Sequence, residues 1–119
     1  AAPGDCMRLA RQAAQTGEEY RIYACGGDGT LSEAVNGAYG YANAAVGVVP
    51  VGTGNDFVRN FQGKDLFLDI GAQLDGQMHK MDLIRYNGKL CVNMINIGFD
   101  CAVVKEAERF KKKKFLLIF

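Results

Sequence analysis

The feature that most restricts what this chain can become is a pattern used twice: an apolar run, a glycine cluster, then polar residues opening a helical repeat. The first copy is "RIYACGGDGTLSEAVNG", residues 21–37, and the second is "AAVGVVPVGTGNDF", residues 44–57. Glycine weakens helix and strand alike, so Gly26, Gly27 and Gly29 around Asp28 are costly unless the backbone must turn sharply or something must approach it closely. A bound phosphate would require both. Two strand–loop–helix units in succession predict parallel strands whose loops leave the same edge of one sheet. In open α/β sheets that edge, at the carboxyl ends of the strands, is where ligands collect. The two glycine loops are therefore expected to face a common crevice.

The flanking sequence fills in the plan. Pro3, Gly4 and Asp5 read as a turn and N-cap, followed by Cys6, Leu9, Ala10, Ala13 and Ala14 at helical spacing until Gly17. "RIYAC", residues 21–25, is a short β-prone run that predicts a buried strand. Leu31, Ala34, Val35 and Ala38 repeat as i, i+3, i+4, i+7 and predict a second helix to about Tyr39. A further helix is expected to open at Asn55 and Asp56. Beyond Gly63 the style changes: "LFLDIGAQLDG" predicts a last short helix, then "QMHKMDLIRYNGKLCVNMINIGFD" predicts two extended runs joined by Asn87 and Gly88, the strongest short hairpin signal. "CAVVKEAERFKKKK" predicts a helix with Ala102, Val103, Ala107 and Phe110 on one side. The expected division is residues 1–75 as part of an α/β unit and 76–119 as the opening of a β-rich domain.

Composition narrows the function classes. With 119 residues, 49% hydrophobic and 23% charged, the chain falls in the soluble, globular range of a single domain. A net charge of +1 argues against nucleic acid, although Lys105, Arg109 and Lys111 to Lys114 crowd one end. Cys6, Cys25, Cys91 and Cys101 form no C-x-x-C pair and His79 is remote from all of them, which removes the usual metal spacing. Reduced, packed cysteines and a cytoplasmic setting are the simplest expectation. No apolar run approaches the ~18 residues of a membrane span. "KKKKFLLIF" sets basic beside apolar residues, which suits an anionic lipid surface, but reads first as a helix face followed by a strand of the second domain. The opening "AAPGD" and this apolar ending suggest a piece of a longer protein.

The loop 26–30, "GGDGT", has the parts of a phosphate cradle: glycines let backbone N–H groups converge, and the following helix presents its positive N-terminus. Asp28 would repel bare phosphate, so it makes sense there if it acts through Mg²⁺, or accepts a proton or hydrogen bond from a substrate hydroxyl. The plainer alternative is a tight turn with Thr30 as N-cap. The loop is not a Walker A motif, because no G-x-x-x-x-G-K-[ST] occurs. It is not the dinucleotide fingerprint either, since G-x-G-x-x-G meets Ser32 when started at Gly27 and Phe57 when started at Gly52. His79 reads as a surface or interdomain residue rather than a base, since it has no partner for that work.

"GGDGT" followed by "GTGNDF", with a helix and a strand between them, closely resembles the catalytic domain of the diacylglycerol kinases, in the bacterial lipid kinase branch related to sphingosine and ceramide kinases. The flanks "GGDGTLSEAVNG", "GVVPVGTGNDFVRNF" and "KMDLIRYNGKLCVNMINIGFD" agree, so the resemblance covers nearly the whole chain. "GGDGT" alone is shared with NAD kinases and, loosely, phosphofructokinases. The resemblance implies an α/β nucleotide-binding domain of the NAD kinase and phosphofructokinase type, followed by a β-rich domain, and an enzyme that moves the γ-phosphate of ATP-Mg²⁺ to a lipid hydroxyl. It implies that Gly26, Gly27, Asp28, Gly29 and Thr30 line the nucleotide phosphates, with Asp28 in a network of Mg²⁺ and water. Gly52, Thr53, Gly54, Asn55 and Asp56 become the second nucleotide loop. Arg59 matches an arginine near the transferred phosphate, where a planar guanidinium suits phosphate oxygens. Glu33 matches an adenine-side or structural position, and Asn36 is read as structural. The resemblance places the carboxylate that deprotonates the lipid, and a first strand with an "NP…SG" loop, outside these residues, so the piece alone is expected to be inactive. Its partners would be ATP and a lipid at the membrane surface, with peripheral membrane contact and a homodimer compatible with this reading. Rival readings are an NAD kinase-like phosphotransferase on a soluble substrate and a nucleotide-sensing module without chemistry.

Overall fold

The computed structural model of the protein describes residues 2–95. The helix expected over 101–114 and the apolar ending lie outside them. Helix α1 spans Asp5–Gln15 and starts from Gly4, whose φ of 90° makes the turn into the helix. Strand β1, Tyr20–Gly26, leads through Gly27 into α2, Asp28–Ala38, and β2 is Ala44–Pro50. The two strands pair in parallel, in register from Tyr20 opposite Ala44 to Gly26 opposite Pro50. Both strands therefore end at the same edge, and the loops after them emerge side by side, as the doubled pattern predicts.

Helix α2 lies on both strands and α1 packs on α2 through small residues: Ala10 and Ala14 are buried on α1, and Gly37 of α2 lies so close to Met7 and Ala10 that a Cβ there would clash with both. The core consists of Ala24, Leu31, Ala34, Val48, Phe57 and Val58, one face of the sheet closed by α2. On the opposite face a 3₁₀ turn at Lys64–Leu68 and a short α3, Ile70–Asp75, are braced by Gln73. Gln73 donates through Nε2 to the carbonyls of Val48 at 2.9 Å and Phe67 at 2.6 Å, while its own backbone carbonyl accepts from the Tyr23 hydroxyl at 3.2 Å. Asp69 caps α3 by accepting from the Ala72 amide at 3.0 Å.

A hairpin of β3, Ile84–Tyr86, and β4, Lys89–Cys91, follows. Asn87 and Gly88 both have positive φ, 46° and 74°, the twist that the two-residue turn requires.

Three expectations change. The helix expected after the second glycine loop is only one 3₁₀ turn, Val58–Asn60, since Gly63 takes a left-handed φ of 73° soon after it and turns the chain away. Leu9, expected on the buried stripe of α1, is 55% exposed, because α1 rests on α2 through the smaller Ala10 and Ala14. Cys25 is exposed, and Cys6 and Cys91 are half-buried, so packing does not account for all the cysteines. Cys25 shares its side of β1 with Arg21 and Tyr23, where the six residues of α3 reach Arg21 and Tyr23 but stop short of Cys25.

Candidate functional site

The two glycine loops touch backbone to backbone. A Cβ at Gly27 would meet the Gly54 carbonyl oxygen at 2.5 Å, and a Cβ at Gly52 would overlap the backbone of Gly27. Any side chain at either position would force the loops apart. Asp28 fastens them further. Its amide donates to the Gly54 carbonyl at 3.1 Å, and its carboxylate accepts from the amides of Asp56 at 2.9 Å and Phe57 at 3.0 Å. Those two amides open the 3₁₀ turn, so Asp28 caps from another element the N-terminus that the second loop cannot cap for itself.

This pattern sorts the backbone donors into two groups. The amides of Asp28, Asp56 and Phe57 are taken by the protein. The amides of Gly27, Gly29, Thr30, Gly52, Thr53, Gly54 and Asn55 have no hydrogen-bond partner among the described residues. Thr30 does not cap α2; the helix starts two residues earlier, with Gly27 at the N-cap and no side-chain bond there. The N-terminus of an eleven-residue helix is therefore left with open donors beside the second loop.

Asn55 closes the second loop on itself through Nδ2 to the Gly52 carbonyl at 2.7 Å. Its Oδ1 is buried and lacks a donor among the described residues. Arg59 and Asp56 form an exposed ion pair at 2.7 Å, beside the loops and open to solvent. Thr53 is exposed at the rim. Glu33 is turned the other way: its carboxylate accepts from the Gly4 amide at 2.9 Å and joins α2 to α1. Asn36, read as structural, binds Leu90 of β4 through both backbone groups. His79 is exposed and belongs to none of the helices or strands.

A cleft of about 340 Å³ opens beside the loops, with Asp28, Gly29, Leu31, Ser32, Asp56 and Phe57 on one wall and Cys91, Val92, Asn93 and Met94 on the other. Sequence reasoning misses the second wall; its only signal there is the hairpin, whose exit strand must run somewhere near α2. Among the described residues no group of three or more His, Cys, Asp or Glu side chains could hold a metal by itself. Each Asp28 carboxylate oxygen takes only one amide, so it retains a lone pair, which suits a contact with a metal's water shell rather than a full ligand set.

The fold and loops define a class: an α/β unit with paired glycine loops at the carboxyl ends of adjacent parallel strands. Comparison with known proteins narrows it. The family described as diacylglycerol kinase catalytic domain matches residues 1–86, and the chain belongs to that family. A diacylglycerol kinase of Bacillus subtilis is 36% identical over 98 residues, 80% of this chain and 32% of the relative. A probable lipid kinase, YegS-like, of Pseudomonas aeruginosa is 35% identical over 114 residues, 92% of this chain and 36% of the relative. A putative lipid kinase of Staphylococcus epidermidis is 35% identical over 89 residues, 73% of this chain and 28% of the relative. The chain spans about a third of the length of the curated relatives it matches. No solved structure matches it.

Proposed function

We propose that the protein containing this sequence transfers the γ-phosphate of ATP to a hydroxyl of diacylglycerol or a related lipid, and that the two glycine loops hold the triphosphate. The observation that carries this reading is the set of open main-chain donors: the amides of Gly27, Gly29, Thr30 and Gly52 to Asn55 have no partner among the described residues, at a place where side chains would part the loops. Converging amides at a helix N-terminus favour phosphate oxygens and need no reorganisation as charge develops. Membership of a family whose relatives are named diacylglycerol and lipid kinases supports phosphoryl transfer over a sensing role.

In this proposal Asp28 acts in two ways. Its two accepted hydrogen bonds hold the second loop against the first, and its remaining lone pairs orient water around Mg²⁺. When bound, the ion would neutralise charge shared by the phosphates. Arg59, exposed beside the loops, would leave Asp56 for the transferred phosphate, where its planar fork suits oxygens better than a point charge does. The buried Oδ1 of Asn55 would accept from a bound water or a ribose hydroxyl. Residues 1–75 would be the nucleotide half, of the NAD kinase and phosphofructokinase type, and residue 76 onward the opening of the lipid half. The base that deprotonates the lipid would lie beyond this sequence, so residues 1–119 alone would not turn over.

Incubating the full-length protein with labelled ATP, Mg²⁺ and either diacylglycerol vesicles or NAD⁺ tests the reading. Labelled phosphatidic acid is expected; labelled NADP⁺, or no labelled product with a range of lipids, would overturn it. Asp28→Asn in the same protein should leave it folded and lower turnover by roughly a hundredfold or more, the scale of losing one well-placed polar group at a reacting phosphate. Near-normal turnover would remove Asp28 from the chemistry.

A further inference from the structure

Asn36 lies two turns into α2, away from both glycine loops, and uses three of its four hydrogen-bonding valences on carbonyls and amides. Its Nδ2 donates to the Ser32 carbonyl and to the Leu90 carbonyl, each at 2.8 Å, and its Oδ1 accepts from the Leu90 amide at 2.9 Å. In the hairpin Leu90 faces Arg85, the non-bonded pair between the two bonded ones, so its backbone N–H and C=O point outward from the ladder. Asn36 takes both, as a neighbouring strand would.

The two residues it joins sit at the base of the cleft. Ser32 lines one wall, and Leu90 immediately precedes Cys91, where the other wall begins. Asn60, at the end of the 3₁₀ turn, holds that second wall further along by donating to Asn93 Oδ1 at 3.0 Å. Arg85, by contrast, binds the Tyr39 hydroxyl at 2.9 Å and stacks over its ring, tying the hairpin to the end of α2 without touching the cleft.

We propose that Asn36 is a positioning residue that sets the spacing between the 91–94 wall and the Asp28 wall of the cleft. This rests on the kinase reading above. Only an amide side chain of this length can make all three bonds. A carboxylate would turn acceptors toward the Ser32 and Leu90 carbonyls, and glutamine would push the strand away by a methylene.

Full-length protein carrying Asn36→Ala or Asn36→Asp, assayed with ATP and diacylglycerol in phosphatidylglycerol vesicles well below its melting temperature, tests the proposal. Since misplacing reacting groups by about an ångström can cost roughly a hundredfold, kcat is expected to fall about tenfold or more while KM for ATP stays within about threefold. Arg85→Ala should lower the melting temperature and leave kcat alone, which separates wall placement from general stability. Should the Asn36 variants not fold, Asn60→Ala, on an exposed pair, is expected to give the same split on a smaller scale. An active wild type whose variants lose only melting temperature overturns this inference and spares the kinase reading; a wild type that phosphorylates no lipid overturns both.

Discussion

At the scale of single residues the site depends on two absences and one carboxylate. Gly27 and Gly52 are glycines because a Cβ at either would enter space that the other loop's backbone already fills. Gly27→Ala and Gly52→Ala should each destabilise by about 1–3 kcal/mol, the usual cost of forced overpacking, since the obstacle is main chain that cannot swing aside. Urea unfolding at constant m-value measures this; an alanine variant as stable as wild type would mean that the loops are not in contact. Asp28→Ala leaves the Asp56 and Phe57 amides without their acceptor and should cost about 1–3 kcal/mol by the same assay. Asp28→Asn, which keeps an acceptor for one of them, should cost less. The role of Asp28 as a strap between loops could not be read from "GGDGT", because its partners lie 28 and 29 residues further along the chain.

At the scale of elements, Gln73 is the brace between α3 and the sheet. Gln73→Ala should cost about 1–3 kcal/mol, because the Val48 and Phe67 carbonyls lose their donor in a half-buried setting. Hydrogen exchange should show the α3 amides losing protection in Gln73→Ala while β1 and β2 keep theirs; unchanged α3 protection in the variant would contradict the brace. Between α1 and α2, burial pushes the Cys6 thiol above its ordinary pKa, and the charge of Glu33 adds to it. A folded pKa above the unfolded one contributes stability that is complete below the ordinary thiol value of ~8.5 and fades as pH rises through the folded pKa. Stability should therefore decline more steeply above that value in wild type than in Cys6→Ala, and parallel profiles would refute the assignment. Local signals made α1, β1, α2, β2 and the Asn87–Gly88 turn legible, because helical period, apolar runs and turn residues act over a few positions. The missing helix after Asp56 was not legible: its first amides are capped by a carboxylate from α2, yet Phe61 turns extended and Gly63 then takes a left-handed φ, which ends the helix after one turn. Nor was the reach of Asn36, whose partner Leu90 is 54 residues away; a polar residue facing neither solvent nor ligand was the only hint.

At the scale of the whole molecule, the described residues form two parts that meet at one cleft: the α/β layers carrying the loops, and the hairpin that Asn36 and Arg85 hold against α2. No helix among the described residues is long and apolar enough to cross a membrane. The central claim is that main-chain amides of both loops hold one triphosphate, and selective ¹⁵N-glycine labelling of the full-length protein tests it most directly. Titration with ATP-Mg²⁺ should shift the amide signals of Gly27, Gly29, Gly52 and Gly54 together along one binding curve, while Gly40 and Gly88, far from the loops, stay in place. Signals of the loop glycines that remain unmoved at saturating nucleotide, or that move for only one loop, would contradict the account.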